Sequence, residues 1–237
     1  MRAAIFGASG GIGAALAAQL AARDDVSDVI ALARTAPPDN GKVRGLSFDL
    51  EDEATIAAAA QTMGKDGAVD LVIVATGVLS LPGGSGPERS FSRIDPAEMA
   101  RVFAINTIGP ALIAKHMLPL LPRDRRGVFA AISARVGSIG DNRLGGWHSY
   151  RASKAALNML VRNFAIELAR TRPAAIAVAL HPGTVDTGLS APFQRGVPAG
   201  KLFTPEQSAA HLLKVIDGLG ADQSGELFGW DGTRIEF

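Results

Sequence analysis

The chain has no cysteine, and its four histidines are scattered along 237 residues. Without cysteine it can form no disulfide bond, thiolate metal ligand or cysteine nucleophile, and the scattered histidines give no metal-binding pattern. The net charge is only +1 with both signs interspersed, so no broad basic surface suggests nucleic acid or an anionic membrane as a partner. We therefore expect neither a metal nor a nucleic acid in its function.

Long apolar runs are also missing. None approaches the roughly 18 residues that a membrane-spanning helix needs, and the N-terminus leads directly into a strand-like segment without a signal-peptide pattern. Apolar residues make up 47% and charged residues 20% of the chain, as in ordinary globular proteins. The sequence thus predicts a folded, cytoplasmic protein without membrane attachment.

Seven short apolar runs alternate with longer amphipathic stretches. The runs, nearly unbroken in hydrophobicity as in strands covered on both faces, are 3–8, 28–34, 45–50, 70–77, 127–133, 175–183 and 225–230. The helical stretches are 12–23, 53–63, 96–121, 149–171 and 205–218. Such alternation produces right-handed crossovers. We predict an α/β fold: a single Rossmann domain over residues 1–237, with a doubly wound, seven-stranded parallel sheet flanked by helices.

The segment FGASGGIG, residues 6–13, joins the first predicted strand to the first predicted helix. Glycines let a phosphate approach backbone N–H groups at a helix N-terminus, where the helix dipole is positive. The spacing fits two nucleotide-binding patterns, one with Gly7, Gly11 and Gly13 and one with Gly7, Gly10 and Gly13. Both indicate a nucleotide cofactor, and a plain tight turn is the simpler alternative.

The residue at the end of the second predicted strand bears on which dinucleotide binds. Arg34 lies 21 positions after Gly13, where NAD-binding sheets usually carry a carboxylate for the ribose 2′-hydroxyl. A guanidinium there can bind a 2′-phosphate, so the sequence favours NADP(H) over NAD(H). Asp49, at the end of the third predicted strand, either faces the adenine amino group or caps the following helix.

The only tyrosine of the chain, Tyr150, precedes Lys154 by four residues in SYRASKAALNML. Positions i and i+4 share one face of a helix, so the ammonium can lie near the phenol. A nearby cation favours the phenolate and lowers a pKa that is ordinarily about 10. Such a pair can exchange a proton in step with hydride transfer, although the same spacing also occurs on ordinary helix surfaces.

Four motifs in order, GASGGIG, FAINTIGP, YRASKAALN and HPGTVDT, resemble those of the classical short-chain dehydrogenase/reductase family over nearly the whole chain. The segment SARVGSIGDNRLGGWHSYRASKAALNML and the ending GWDGTRIEF resemble its C-factor-like and Sniffer-like carbonyl reductase branch. Extended relatives, which use the second glycine pattern, carry a sizeable C-terminal substrate domain, whereas only about 50 residues follow HPGTVDT here. The resemblance therefore selects Gly7, Gly11 and Gly13.

The resemblance implies roles for individual residues. Tyr150 would be the general acid in carbonyl reduction, and Lys154 would bind the nicotinamide ribose and depress the pKa of Tyr150. Asn106 would hold a proton-relay water, bond the backbone of its own helix, or both, and the Val185 backbone would bind the nicotinamide carboxamide. The implied cofactor-binding residues are Gly7, Ser9, Gly11, Ile12, Gly13, Arg34, Asp49, Leu50, Ala75, Gly77, Tyr150, Lys154, Pro182, Gly183, Val185 and Thr187.

Two segments depart from the family pattern. Ala134 occupies the position of the serine that bonds the substrate carbonyl, and either Ser133 or Ser138 can supply the hydroxyl; we favour Ser133. The family's N-N-A-G is VATG at 74–77, which removes asparagine bonds that support the structure but should leave cofactor binding intact. His181 is expected to be structural.

These observations predict an NADP(H)-dependent carbonyl reductase or alcohol dehydrogenase for a small, fairly apolar substrate. A lid is expected at 188–204, and His148 and Trp147 are expected to wall the pocket unless Trp147 packs in the core. The apolar lid residues are Leu189, Pro192, Phe193, Leu202 and Phe203. The alternative, prompted by Ala134, is a C-factor-like signalling or nucleotide-sensing protein with incidental or no turnover. The family also implies a homodimer or homotetramer formed through the two longest predicted helices.

Overall fold

The computed structural model describes residues 1–81, 83–84, 86–191, 194, 197–198 and 200–237, and the structural statements below concern these residues. The strands are β1 (Arg2–Phe6), β2 (Asp28–Ala33), β3 (Val43–Ser47), β4 (Leu71–Val74), β5 (Gly127–Ile132), β6 (Ala175–His181), β7 (Thr184–Val185), β8 (Leu202–Phe203), β9 (Leu227–Gly229) and β10 (Arg234–Ile235). The α-helices are α1 (Gly11–Ala21), α2 (Glu53–Lys65), α3 (Pro96–Phe103), α4 (Gly109–Met117), α5 (His148–Thr171) and α6 (Pro205–Gly218).

The main sheet has the strand order β10-β9-β6-β5-β4-β1-β2-β3. Within the described residues, β1 to β6 and β9 pair in parallel, and they correspond to the seven strands predicted from the sequence. β10 pairs antiparallel with β9 and is absent from the prediction, because two residues are too few for a recognisable pattern. The predicted doubly wound parallel sheet is confirmed, with one added edge strand.

Successive side chains of each central strand enter two different hydrophobic cores. In β1, Ala4 and Phe6 face a cluster that includes α2, α4 and α5, whereas Ala3 and Ile5 face a cluster that includes α1 and α6. A parallel sheet covered by helices is buried on both faces, which explains the unbroken apolar runs in the sequence. Polar functional groups are consequently confined to the ends of the strands.

The helix predicted at 96–121 is interrupted. A π-helical turn, Ala104–Ile108, separates α3 from α4. The predicted helical stretch is therefore present but distorted at Asn106, whose side chain is fully buried and bonds a neighbouring loop. Next to it, Gly109 has no space for a side chain, because a Cβ would collide with Leu50.

In the described part of the chain, none of the helices combines the length and the apolar character needed to span a bilayer. The same residues contain no group of three or more histidine, aspartate or glutamate side chains arranged to hold a metal ion.

Candidate active site

A cavity of about 350 Å³ lies at the carboxyl edge of the main sheet. Its walls are Ile12 in the first turn of α1, the turns that follow β4, β5 and β6, the start of α5 and part of the predicted lid. In open parallel sheets, ligands bind at this edge where the strand order changes direction, which here is between β1 and β4. The described wall brings together Tyr150, Lys154, Ser133 and the turns at 75–79 and 181–185.

The turn between β1 and α1 leaves no room for side chains at three glycines. Gly7 has a φ of +93°, and a Cβ on it would lie 2.9 Å from the backbone that follows β4. A Cβ on Gly13 would collide with the Gly7 carbonyl, and one on Gly11 would lie 3.0 Å from Cγ2 of Thr187. Gly10 meets nothing closer than 3.4 Å and has extended backbone with negative φ. The crowded positions are those of the Gly7, Gly11 and Gly13 pattern.

Residues expected to bind the adenosine half of a cofactor follow β1, β2 and β3 along the same edge. Ser9 is exposed in the glycine turn, and Arg34 is exposed directly after β2 with no ion pair to any described residue. Asp49 does not cap α2, because Asp52 does so by accepting a hydrogen bond of 3.0 Å from the N–H of Ala54. The capping role considered for Asp49 is therefore wrong, and the adenine contact stays a prediction.

Tyr150 and Lys154 lie one helical turn apart near the start of α5, and both line the cavity. The Lys154 ammonium donates a hydrogen bond of 2.8 Å to the carbonyl of Ile132 at the end of β5. Burial raises the pKa of Tyr150 to about 12 and lowers the pKa of Lys154 to about 8. Loss of water around the phenolate is the cause of the raised tyrosine pKa, and a lowering by Lys154 stays a prediction.

Asn106 bonds a neighbouring loop through its side chain. Its Oδ1 accepts from the Val78 N–H at 2.8 Å, and its Nδ2 donates to the Val78 carbonyl at 2.8 Å and to Ser153 Oγ at 3.1 Å. The expectation that this side chain bonds its own helix is therefore wrong. A Cβ on Gly77 would lie 3.3 Å from Asn106 Oδ1 and 3.4 Å from Lys154 Nζ, so these groups gather directly beneath the turn after β4.

Ala134 lies in the cavity wall, where the family serine is missing. Ser133 lines the cavity too, but its hydroxyl donates to Asn158 Oδ1 at 2.7 Å. The Ser138 hydroxyl accepts from the N–H of Asp141 at 3.0 Å, and Ser138 is not among the described wall residues. Ser133, favoured from the sequence, thus has its hydroxyl proton committed to Asn158.

The turn after β6 forms the wall opposite α5. Gly183 has a φ of +79°, and a Cβ on it would lie 2.7 Å from the Phe203 ring. The Val185 carbonyl already accepts a hydrogen bond from the Ser190 hydroxyl. Other residues of the predicted cofactor set that line the cavity are Ile12, Ala75, Gly77, Pro182 and Thr187.

The predicted lid, 188–204, is described in part. β7 pairs with β8 in a small parallel sheet, which ties the end of the lid to the turn after β6. Leu189 and Val197 line the cavity, and Leu202 and Phe203 form β8. Pro192 and Phe193 lie outside the described residues.

Comparisons with known proteins agree with this geometry. The family model for short chain dehydrogenase matches residues 2–197, and C-signal of Myxococcus xanthus is 39% identical over 170 residues, covering 71% of this chain and 93% of that protein. The chain belongs to the short chain dehydrogenase family. It is therefore an oxidoreductase of the short-chain dehydrogenase type.

Two solved structures of carbonyl reductases have the same fold. The NADPH-bound carbonyl reductase from chicken fatty liver gives a TM-score of 0.84 at 25% identity, over 100% of this chain and 94% of that one. Carbonyl reductase Sniffer of Drosophila melanogaster gives a TM-score of 0.85 at 22% identity, over 100% of this chain and 99% of that one. The predicted membership of the C-factor-like and Sniffer-like branch is confirmed by the similarity to C-signal and by Sniffer of Caenorhabditis elegans, which gives a TM-score of 0.81 at 25% identity over 100% of this chain and 98% of that one.

Sequence reasoning overlooks Glu88, a buried carboxylate that holds the start of α5 in this dehydrogenase. Glu88 is 6% exposed and accepts hydrogen bonds from the Ser149 N–H at 3.2 Å and from the Ser149 hydroxyl. Its backbone carbonyl accepts from the N–H of Trp147. A glutamate in a glycine-rich loop carries no periodic signal, so the sequence does not connect it with a helix that begins about 60 residues later.

Trp147 connects the Glu88 loop to the cavity, because its N–H bonds Glu88 and its side chain lines the cavity. Among the described non-glycine residues, only Trp147 has a positive φ, of 51°, which a bulky side chain rarely adopts unless its surroundings fix it. Its ring lies 6.3 Å from the Tyr150 ring between centroids, lines the cavity and packs on a small cluster with Leu79. Both roles considered for Trp147 therefore apply, whereas His148 is not among the described wall residues.

We expect Glu88→Ala to destabilise the fold by roughly 1–2 kcal/mol, because it removes the acceptor for the N–H and the hydroxyl of Ser149 in the first turn of α5. Thermal unfolding should show a lowered Tm, and kcat should fall because Tyr150 is one residue from the lost contact. Glu167→Ala, at an exposed position on the same helix, is the matched control and should change neither quantity. A Tm for Glu88→Ala equal to that of the control would contradict this role.

Proposed function

We propose that this family member is an NADP(H)-dependent carbonyl reductase, or secondary alcohol dehydrogenase, for a small or medium, mainly apolar substrate. The observation that carries the proposal is the pair Tyr150 and Lys154, one helical turn apart on a cavity that adjoins the side-chain-free glycine turn. A phenol beside an ammonium is suited to proton exchange, and a crowded glycine turn is suited to a dinucleotide.

The residues around the glycine turn fit such a cofactor. α1 begins without a side-chain cap and without an acidic residue in its first turn, so its N–H groups and the positive end of its dipole are available to a pyrophosphate. Exposed Arg34 suits the 2′-phosphate that distinguishes NADP from NAD. The NADPH-bound state of the chicken carbonyl reductase supports the same assignment.

The proton that reduction requires would come from Tyr150. A bound NADPH would supply a hydride to the carbonyl carbon. The C=O electron pair then moves onto oxygen, which takes the phenolic proton of Tyr150 and leaves an alcohol and a phenolate. Because burial raises the pKa of Tyr150 to about 12, the phenol is protonated at neutral pH, which is the form that reduction needs.

Lys154 would orient the cofactor and return a proton to Tyr150. Its ammonium, held at 2.8 Å by the Ile132 carbonyl, would face the nicotinamide ribose and stabilise the phenolate. The Asn106 side chain is occupied by Val78 and Ser153, so a relay water near Lys154 would be held by backbone of the π-helical turn, where the helical hydrogen-bond register is shifted.

The cavity wall supports an apolar substrate class. Burial lowers the pKa of His181 to about 4, so Lys154 is the only charged side chain in the described wall at neutral pH. The apolar side chains in the wall include Leu79, Val136, Trp147, Leu189 and Val197. A charged substrate would lose its hydration there without a partner, which costs several kcal/mol, so we assign aldehydes, ketones and diketones without charged groups.

A second candidate function is C-factor-like signalling or nucleotide sensing. The 39% identity to C-signal and the alanine at position 134 favour it, because a cofactor-bound protein lacking the serine could signal with incidental or no turnover. The two functions differ in whether chemistry at Tyr150 is needed.

We also propose a homodimer or homotetramer that packs through α4 and α5. Met159 and Ile166 on α5 are 61% and 47% exposed, and Ile108, just before α4, is 53% exposed. A second copy would remove this apolar surface from water.

Arg34→Ala should raise the KM for NADPH by about 10- to 100-fold, because a charge-assisted contact with the 2′-phosphate is lost, and should leave the KM for NADH nearly unchanged. Steady-state kinetics with both cofactors measures this. Arg123→Ala, at an exposed position far along the chain from the glycine turn, is the control. A wild-type protein that prefers NADH would overturn the NADP(H) assignment.

Carbonyl reduction should be constant near neutral pH and decline as the pH rises through about 8. Lys154 is charged below its pKa of about 8 and neutral above it, whereas Tyr150, with a pKa of about 12, keeps its proton throughout this range. The measurement is kcat as a function of pH with saturating NADPH. In Lys154→Arg the cation persists, so the decline near pH 8 should disappear from whatever activity remains. A decline at the same pH in both proteins would count against Lys154 as its source.

Tyr150→Phe should reduce turnover of 4-nitrobenzaldehyde and 2,3-hexanedione by about 10²- to 10⁴-fold, because the general acid is removed, while NADPH still binds. Enhancement of NADPH fluorescence measures the binding separately. Unmeasurable turnover of every carbonyl by the wild type would refute the enzyme proposal. A biological phenotype rescued fully by Tyr150→Phe would favour signalling.

A further inference from the structure

We propose that His181 donates a hydrogen bond to the substrate carbonyl oxygen, in place of the hydroxyl that Ala134 lacks. This inference rests on the proposed carbonyl reduction. It assigns the imidazole a direct contact with substrate rather than the structural role expected from the sequence.

His181 is the last residue of β6 and reaches the same cavity as Tyr150 and Ala134. The Ser133 N–H donates to the Leu180 carbonyl at 2.8 Å, which places the ends of β5 and β6 side by side. Ala179 and Ala131 face the core that contains α5, and side chains alternate along a strand, so His181 and Ser133 also face the α5 side. The imidazole is therefore on the side of the sheet that carries the tyrosine.

The two nitrogens of the His181 ring differ in their access to the cavity. Its Nδ1 is buried without a partner among the described residues, so a contact with substrate falls to Nε2, which has no hydrogen bond to a described residue. Burial lowers the pKa of His181 to about 4, and the nearby charge of Arg135 adds to this effect while Asp231 opposes it. The ring is thus neutral at physiological pH and presents one N–H donor and one acceptor nitrogen.

Three of the other hydroxyl groups in the described wall already have an acceptor. Ser133 donates to Asn158, and both Ser190 and Thr187 donate to the Val185 carbonyl. Thr76 Oγ1 is buried without a partner among the described residues. His181 is the imidazole of the described wall, at the end of the strand that neighbours β5, which leads to Ala134.

A neutral donor suits the chemistry of the step. During hydride transfer, negative charge develops on the carbonyl oxygen until the proton of Tyr150 neutralises it. A second donor in a cavity of low polarity lowers the energy of this charge, and removal of such a donor in other enzymes costs about 10²- to 10³-fold in kcat. His181 would keep its own proton, so the atoms and electrons of the reaction balance without it.

The kinetic test is a double-mutant cycle with NADPH and 4-nitrobenzaldehyde. His181→Phe should lower kcat/KM by about 10- to 100-fold and leave NADPH binding by fluorescence unchanged. Ala134→Ser should recover most of this loss in the His181→Phe background and have a smaller effect in the wild type, because one donor then replaces the other. His211→Phe is the matched control, since its Nδ1 is also buried without a partner but lies outside the cavity wall. The proposal would be overturned if His181→Phe and His211→Phe lowered kcat/KM equally. It would also be overturned if Ala134→Ser changed kcat/KM by the same factor in the His181→Phe background as in the wild type.

A second measurement does not depend on turnover or on a folded variant. In the wild type labelled with ¹⁵N-histidine, adding 4-nitrobenzaldehyde to the NADP⁺ complex should shift the ring nitrogens of His181 and leave those of His211 in place. A shift without any turnover would support the contact while refuting the reductase. Turnover with no shift of His181 would refute the contact while leaving the reductase intact.

Discussion

Burial of the central sheet on both faces is the constraint from which the site follows. Ala3 and Ile5 enter one core and Ala4 and Phe6 the other, so the interior of a strand offers no position for a polar group without a partner. Functional side chains must then lie where strands end. Parallel strands end together, and the glycine turn, the turn after β4, Ala134 and His181 therefore meet at one edge although they are far apart in the sequence.

α5 supplies the other half of the site, and its position depends on contacts at its first turn. Tyr150 and Lys154 are fixed relative to each other by the helix itself, but their place over the sheet depends on the Ile132 carbonyl below and on Glu88 above. A long side chain such as lysine loses considerable entropy when held, so a hydrogen bond at its tip and burial of its stem must compensate. Burial of Tyr150 in the same packing keeps its phenol protonated, which is the form that donates a proton in carbonyl reduction.

The sequence predicts the parts of this arrangement that rest on local patterns. Most of the parallel strands are continuous apolar runs, Gly7 and Gly13 stand where backbone approaches backbone, Gly11 stands where the Thr187 and Pro205 side chains approach, and Tyr150 and Lys154 have helical spacing. The sequence does not predict the features that depend on contacts between distant residues. The break at Asn106 arises because its side chain bonds Val78 in another loop, and the role of Glu88 exists only once two distant loops pack together. The pKa of Tyr150 was expected from one neighbour but is set by the whole cavity, which periodicity cannot describe.

The unpartnered atoms of the fold carry information of a different kind. A buried polar atom without a hydrogen bond costs roughly 1–3 kcal/mol, so a stable protein retains few of them. His181 and His211 each bear one at Nδ1, but their surroundings differ. The His211 ring packs between Phe203 and Trp230, with centroids 5.0 Å from each, where aromatic contact compensates the loss. The His181 ring adjoins a cavity instead, next to a position where a hydroxyl has been replaced by a methyl group. Local chemistry that conflicts with stability is commonest at sites that bind something, and a substrate carbonyl oxygen in this cavity would accept a hydrogen bond from the Nε2–H of the His181 ring.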